Sequence, residues 1–203
     1  MLAFLSSVIA FNISRFNADQ QRSRDFLAAK AFLPAAFSEL SEYFKSSASV
    51  LTSEWGRQGD GEINVEVPSP DGDYKLIFEK CIRHATPEVG KYLVGILVQM
   101  QIHNARLREL FRAGDGIIHI HIGRSNLIAY LYRLGELQAL INKNFDFARG
   151  IDSFDSKPLE WEDLRNAYGN LNIRSQDIVV DEKMNLEEFT RRALARNSAA
   201  KQG

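Results

Sequence analysis

Residues 26–51, FLAAKAFLPAAFSELSEYFKSSASVL, decide the fold class. Phe26, Leu33 and Leu40 recur every seven residues, and so do Phe37, Phe44 and Leu51. Interleaved, the two series advance in steps of four and three, the spacing of one apolar helix face. Such a stripe is the packing seam of a helical bundle or a coiled coil. Pro34 falls inside it and removes a backbone donor, so a kink or a new helix start is expected there. Any exposed half of such a seam is self-complementary, which makes Phe26, Leu33, Phe37, Leu40, Phe44 and Leu51 the surface expected for a second copy or a helical partner.

Toward the C-terminus the seam ends near Trp55, and the residues at 56–73, GRQGDGEINVEVPSPDGD, form a loop rich in glycine and proline. Ile63, Val65 and Val67 alternate within it and could form a short strand. Its acidic residues lack the spacing of an EF-hand. Residues 74–84 then predict a short helix with Leu76, Ile77, Phe78, Cys81 and Ile82 inward. Thr86 and Pro87 open the next helix, whose seam is Val89, Leu93, Ile96, Met100, His103, Leu107 and Leu110, with an end expected at Gly114. A further helix is expected from Ser125 to Gly150, with Leu127, Leu131, Leu134, Gln138, Ile141 and Phe145 inward. Long helices joined by a short connection lie antiparallel. Trp161, Leu164, Ala167, Tyr168 and Leu171 predict a small helix after Pro158, and Asn185 with Glu188 makes a capping box for a last one through Leu194. Residues 196–203 are small and polar and are expected to fray.

Toward the N-terminus an uncharged run leads into a basic stretch. Leu2, Phe4, Leu5, Val8, Ile9 and Phe11 are followed by Arg15, Arg22, Arg24 and Lys30. A cleavable signal peptide has the reverse order. The run therefore reads as a membrane anchor, or the C-terminal half of one, although a full span takes roughly 20 apolar residues. Lys and Arg flanking a span are retained on the cytoplasmic side. The body is accordingly expected to be membrane-associated and cytoplasmic, with anchor and bundle forming one nearly continuous helix bent at Pro34.

These readings combine into an all-α chain. Residues 1–25 form the anchor segment and its basic flank, 26–150 an antiparallel helical bundle with a loop at 56–73, and 151–203 a small helical appendage. With 203 residues, 45% hydrophobic and 25% charged, the chain is long and apolar enough to bury a core. A formal charge of −1 gives no electrostatic case for nucleic acid. A single cysteine, Cys81, excludes an internal disulfide and the multi-cysteine zinc patterns.

The sharpest chemical motif is Ile117-Ile118-His119-Ile120-His121-Ile122-Gly123-Arg124. It resembles the signature of the histidine triad nucleotide-binding family, in which histidines alternate with apolar residues along a strand and a histidine attacks phosphorus. The resemblance implies a small phosphoester or nucleotide hydrolase using His119 and His121. Ile117 and Gly123 occupy the flanking alternate positions, where a third histidine would stand. The two histidines share a face only on a strand; on a helix they would lie about 200° apart.

His103, on an apolar seam, is expected to be neutral and hydrogen-bonded, with a pH switch as the alternative. Arg106, Arg108 and Arg112, interleaved with Glu109, suggest a solvated helix face. No nucleophile elbow, Walker loop or dinucleotide turn is present. The sequence assigns no catalytic residue, metal ligand or cofactor. Its expected function is a membrane-anchored helical protein acting through protein contacts as a scaffold, sensor or accessory subunit, and the alternative is the hydrolase just described.

Overall fold

The computed structural model describes residues 2–56, 68–70, 72–110, 124–181 and 184–199. The chain is all-α, as expected from the seam spacing. Its helices are α1 (Leu2–Lys30), α2 (Leu33–Gly56), α3 (Tyr74–His84), α4 (Pro87–Leu110), α5 (Arg124–Lys143), α6 (Phe145–Arg149), α7 (Trp161–Asn170) and α8 (Leu186–Ala199). Strands β1 (Val179–Asp181) and β2 (Met184–Asn185) form a small antiparallel ribbon before α8.

α1 and α2 are separate helices rather than one bent helix. The backbone leaves α1 through a turn at Ala31 and Phe32, and the ladder of α2 opens with the Ala36 amide donating to the Phe32 carbonyl at 3.3 Å. Pro34 is the second residue of α2, where an amide would have no partner within the helix, so its missing donor costs nothing there.

The stripe that begins at Phe26 is core. Leu33, Phe37, Leu40, Phe44 and Leu51 are fully buried and Phe26 is half-buried. Phe37 meets Phe78 of α3 at 5.9 Å and Phe145 of α6 at 6.0 Å between ring centroids. The expected partner surface on this stripe is thus covered by the chain's own helices, because α3, α5 and α6 pack against α2.

α3 buries Tyr74, Phe78 and Cys81, but Leu76 lies on its solvent side, against expectation. In α4, Val89, Leu93, Ile96, Met100, His103 and Leu107 are buried as their spacing predicts. α5 buries Leu127, Leu131, Leu134, Gln138 and Ile141 as expected, and also Ile128, Tyr132, Leu137 and Ala139. The second set is covered because α5 packs against α2 and α4 and also against α7 and α8.

The single helix expected to run to Gly150 breaks at Asn144. That side chain donates to the Asp155 carbonyl and accepts from the Asp155 amide, both at 2.9 Å. Gly150 then ends α6 in the left-handed region with φ 78°, where a side chain would be strained. Beyond it, α7 starts with Asp163 accepting from the Glu160 amide at 2.8 Å, and Lys143 lies 3.3 Å from both Asp155 and Asp163. Asn185 caps α8 as predicted, accepting from the Glu188 amide at 2.9 Å. The helix continues to Ala199, past the position at which fraying was expected. The candidate strand at Ile63, Val65 and Val67 and the helix end at Gly114 lie outside the described residues.

Candidate functional site

Two places carry chemistry that packing alone does not account for. The first is α1. Its C-terminal half is docked: Arg22 donates to the carbonyl oxygens of His84 at 3.2 Å and Ala85 at 2.6 Å, where the unpaired carbonyls of α3 attract a cation. Asp25 lies 3.9 Å from His84 Nδ1. Lys30 places its ammonium 3.7 Å from the centre of the Phe147 ring, and partial burial lowers its pKa. Two of the four residues read as a basic flank, Arg22 and Lys30, therefore hold α1 to the body. Arg24 is exposed, and Arg15 packs over the ring of Phe11 one turn away at 5.9 Å.

The N-terminal half of α1 is uncovered among the described residues. Ile9, Phe11, Ile13 and Phe16 are each more than half exposed, at 57%, 61%, 55% and 63%. At 100° per residue Ile9, Ile13 and Phe16 fall within about 60° of one another and form one stripe, which the exposed Leu27 extends. Leu2, Phe4, Leu5 and Val8 belong to the same helix, but their side chains lie outside the described residues. Among the described residues no helix is long and apolar enough to cross a membrane. This corrects the expectation of a complete transmembrane helix among the described residues. After Phe11 the helix continues in polar sequence through Asn12, Ser14, Arg15, Asn17 and Asp19.

The second place is a cavity of about 170 Å³ between α4 and α5, lined by Gln99, Ile102, His103, Arg106, Tyr130, Arg133 and Leu137. The antiparallel pairing of the two helices sets His103 and Arg106, one turn apart on α4, beside Tyr130 and Arg133 on α5. His103 is only 3% exposed, and neither ring nitrogen has a hydrogen-bond partner among the described residues. Burial alone pushes its pKa down to about 4, so the ring is neutral at pH 7. Its neighbour Tyr43 meets it edge-on at 6.0 Å but commits its hydroxyl to Asn104 at 2.7 Å. Gln99 Oε1 is likewise buried without a partner. Each such unpaired group costs about 1–3 kcal/mol when nothing else satisfies it.

The sequence located His103 correctly on its seam, but the partner expected for it is missing among the described residues. It did not single out Arg106, which appears there as part of a solvated face. The useful signal was a one-turn step from a buried histidine to an arginine on the same helix edge.

Cys81 is buried in the core, and burial raises its thiol pKa to about 11, which leaves it unreactive. Among the described residues no group of three or more His, Cys, Asp or Glu is placed to hold a metal ion. His119 and His121 lie outside the described residues. No family model, curated protein or solved structure matches the chain.

Proposed function

We propose that this protein is a membrane-anchored, all-helical body that acts through protein contacts as a scaffold, sensor or accessory subunit, held at the bilayer by the N-terminal half of α1. The observation that carries the proposal is the contrast within α1: one half is fixed to α3 through Arg22, and the other extends the stripe of Ile9, Ile13 and Phe16 with nothing described against it. Exposed apolar side chains at helical spacing are the material of interfacial anchoring, at about 1.5–3 kcal/mol per large side chain buried. Arg15 and Arg24 fit attachment to an anionic leaflet such as the cytoplasmic one, at about 1 kcal/mol per basic residue near the surface. The attachment needs no helix that spans, since an apolar stripe lying in the headgroup region is sufficient for binding.

The test is flotation of the full chain with phosphatidylcholine vesicles, with and without added phosphatidylglycerol, alongside fractionation of cells that produce it. Attachment to vesicles that weakens at least tenfold in an Ile9→Ser, Phe16→Ser double variant is the expected result. Recovery of the chain in the soluble fraction without detergent, together with no flotation, overturns the proposal.

A further inference from the structure

α4 has two apolar faces, and among the described residues only one is covered. Leu93, Ile96, Met100 and Leu107 enter the core, whereas Val94, Val98 and Ile102 are 42%, 47% and 48% exposed on the opposite side of the helix. At about 100° per residue these three fall within about 80° of one another, and they advance in steps of four, the ridge by which one helix packs on another. Gly95 lies on the same flank as Ile102, and a β-carbon there would meet nothing within 4 Å. The exposed face is therefore an apolar ridge with a notch beside it.

The charges bordering this face complement one another when the helix is reversed. A two-fold axis level with Val98 brings a residue n positions before Val98 in one copy level with the residue n positions after it in the other, and it keeps each flank on its own side. Val98 then meets Val98, and each Ile102 stands within about 1.5 Å of the level of the partner's Gly95, on the flank that the missing side chain leaves open. Lys91 and Glu109 both lie about 20° from Val98 around the helix, and each Lys91 is about 6 Å along the axis from the partner's Glu109, within reach of a lysine side chain. Glu88 and Arg106 share one flank, about 80° from Val98, and come within about 3 Å of the same level. All four charged residues are exposed, and none has an ion pair among the described residues. Parallel pairing in register would instead set Lys91 against Lys91 and Glu109 against Glu109, which repel.

We propose that this face of α4 is the interface of a homodimer in which two copies pack antiparallel across Val98. Ile102 fills the notch at the partner's Gly95, and ion pairs join Lys91 to Glu109 and Glu88 to Arg106 between the copies. Three part-exposed apolar side chains from each copy are less than a permanent interface buries, so the dimer is reversible, with a Kd on the order of 10–100 µM. It does not depend on membrane attachment, and α1 supplies none of these contacts.

Sedimentation equilibrium of the full chain carrying Ile9→Ser and Phe16→Ser, which removes the exposed stripe of α1 as a competing source of association, reads the dimer directly. A monomer–dimer equilibrium with a Kd below about 1 mM is expected. Lys91→Glu should weaken it by about tenfold or more, because like charges then meet twice in each dimer, and adding Glu109→Lys should restore it to within about threefold. Gly95→Leu fills the notch and should weaken the dimer by about tenfold or more while the monomer keeps its Tm, since the space around Gly95 is open. Val98→Cys should form a disulfide between copies about tenfold faster than Glu79→Cys, a change at an exposed position of α3, with the native Cys81 buried and silent in both. A chain that stays monomeric up to about 1 mM overturns the proposal. A dimer indifferent to Lys91→Glu overturns it as well, and so does Val98→Cys that crosslinks no faster than Glu79→Cys.

Discussion

Arg22 of α1 crosses to the end of α3, where its Nη2 donates to the carbonyl oxygen of Ala85 at 2.6 Å. The contact replaces the amide partners that the last carbonyls of a helix lack, and it brings positive charge to the negative end of the helix. It also decides how rigidly the projecting half of α1 is carried by the body.

Arg22→Ala should therefore loosen α1 without unfolding the bundle. The expected cost is about 1–2 kcal/mol, because a charged donor to two carbonyls is lost at a partly exposed site. Hydrogen exchange is the direct measurement: amides of residues 17–30 should exchange faster, while those of α4 and α5 keep their protection.

His103 makes stability depend on pH with a definite sign. Its folded pKa, about 4, lies below the ordinary 6.5, so the unfolded chain binds the extra proton. Its contribution is complete above pH 6.5 and is lost as the pH falls toward 4. Between pH 7 and pH 5 that loss amounts to about 2 kcal/mol. Urea unfolding of the wild type and of His103→Gln at both values isolates it, since the variant should lack this component and keep the carboxylate contributions.

Gly135 faces the ring of Tyr168 so closely that a β-carbon there would overlap Cε1. The ring cannot swing aside freely, because its hydroxyl is tied to Thr190 Oγ1 at 2.7 Å in a buried contact. Gly135→Ala should cost about 2–3 kcal/mol through overpacking, against the small gain alanine usually brings to a helix. A thermal melt should show a Tm about 5–10 °C lower, and an unchanged Tm would mean that α7 can shift away from α5.

Asn144→Ala leaves the Asp155 amide and carbonyl without their side-chain partner. A loss of about 2–3 kcal/mol in urea unfolding is expected, since two hydrogen bonds disappear at a position that is nearly fully buried.

How far the sequence spoke depends on whether a signal was local. The seams of α2, α4 and α5 were legible because burial on a helix follows a three- and four-residue step, and Leu93, Ile96, Met100 and Leu107 obey it. The break at Asn144 was not legible, because its cause is a clip to Asp155, whose position depends on the turn at Gly150. The ribbon of Val179–Asp181 and Met184–Asn185 is too short to show alternation. Arg22 and Lys30 looked like a free basic flank because composition cannot distinguish a cation facing solvent from one placed on a helix end or an aromatic ring. The cavity was half legible: the sequence located a histidine on an apolar seam, and only the pairing of α4 with α5 brings Arg106, Tyr130 and Arg133 around it.

α5 packs on α2 and α4, which precede it, and on α7 and α8, which follow. During synthesis, then, α5 leaves the ribosome with one side able to dock at once and the other waiting for Leu164, Tyr168 and Leu186 to be made. For that interval, a few seconds at typical elongation rates, the nascent chain presents Gly135 and Ala139 as an open apolar wall, and it is at this stage, rather than in the finished fold, that chaperone demand and self-association should be greatest.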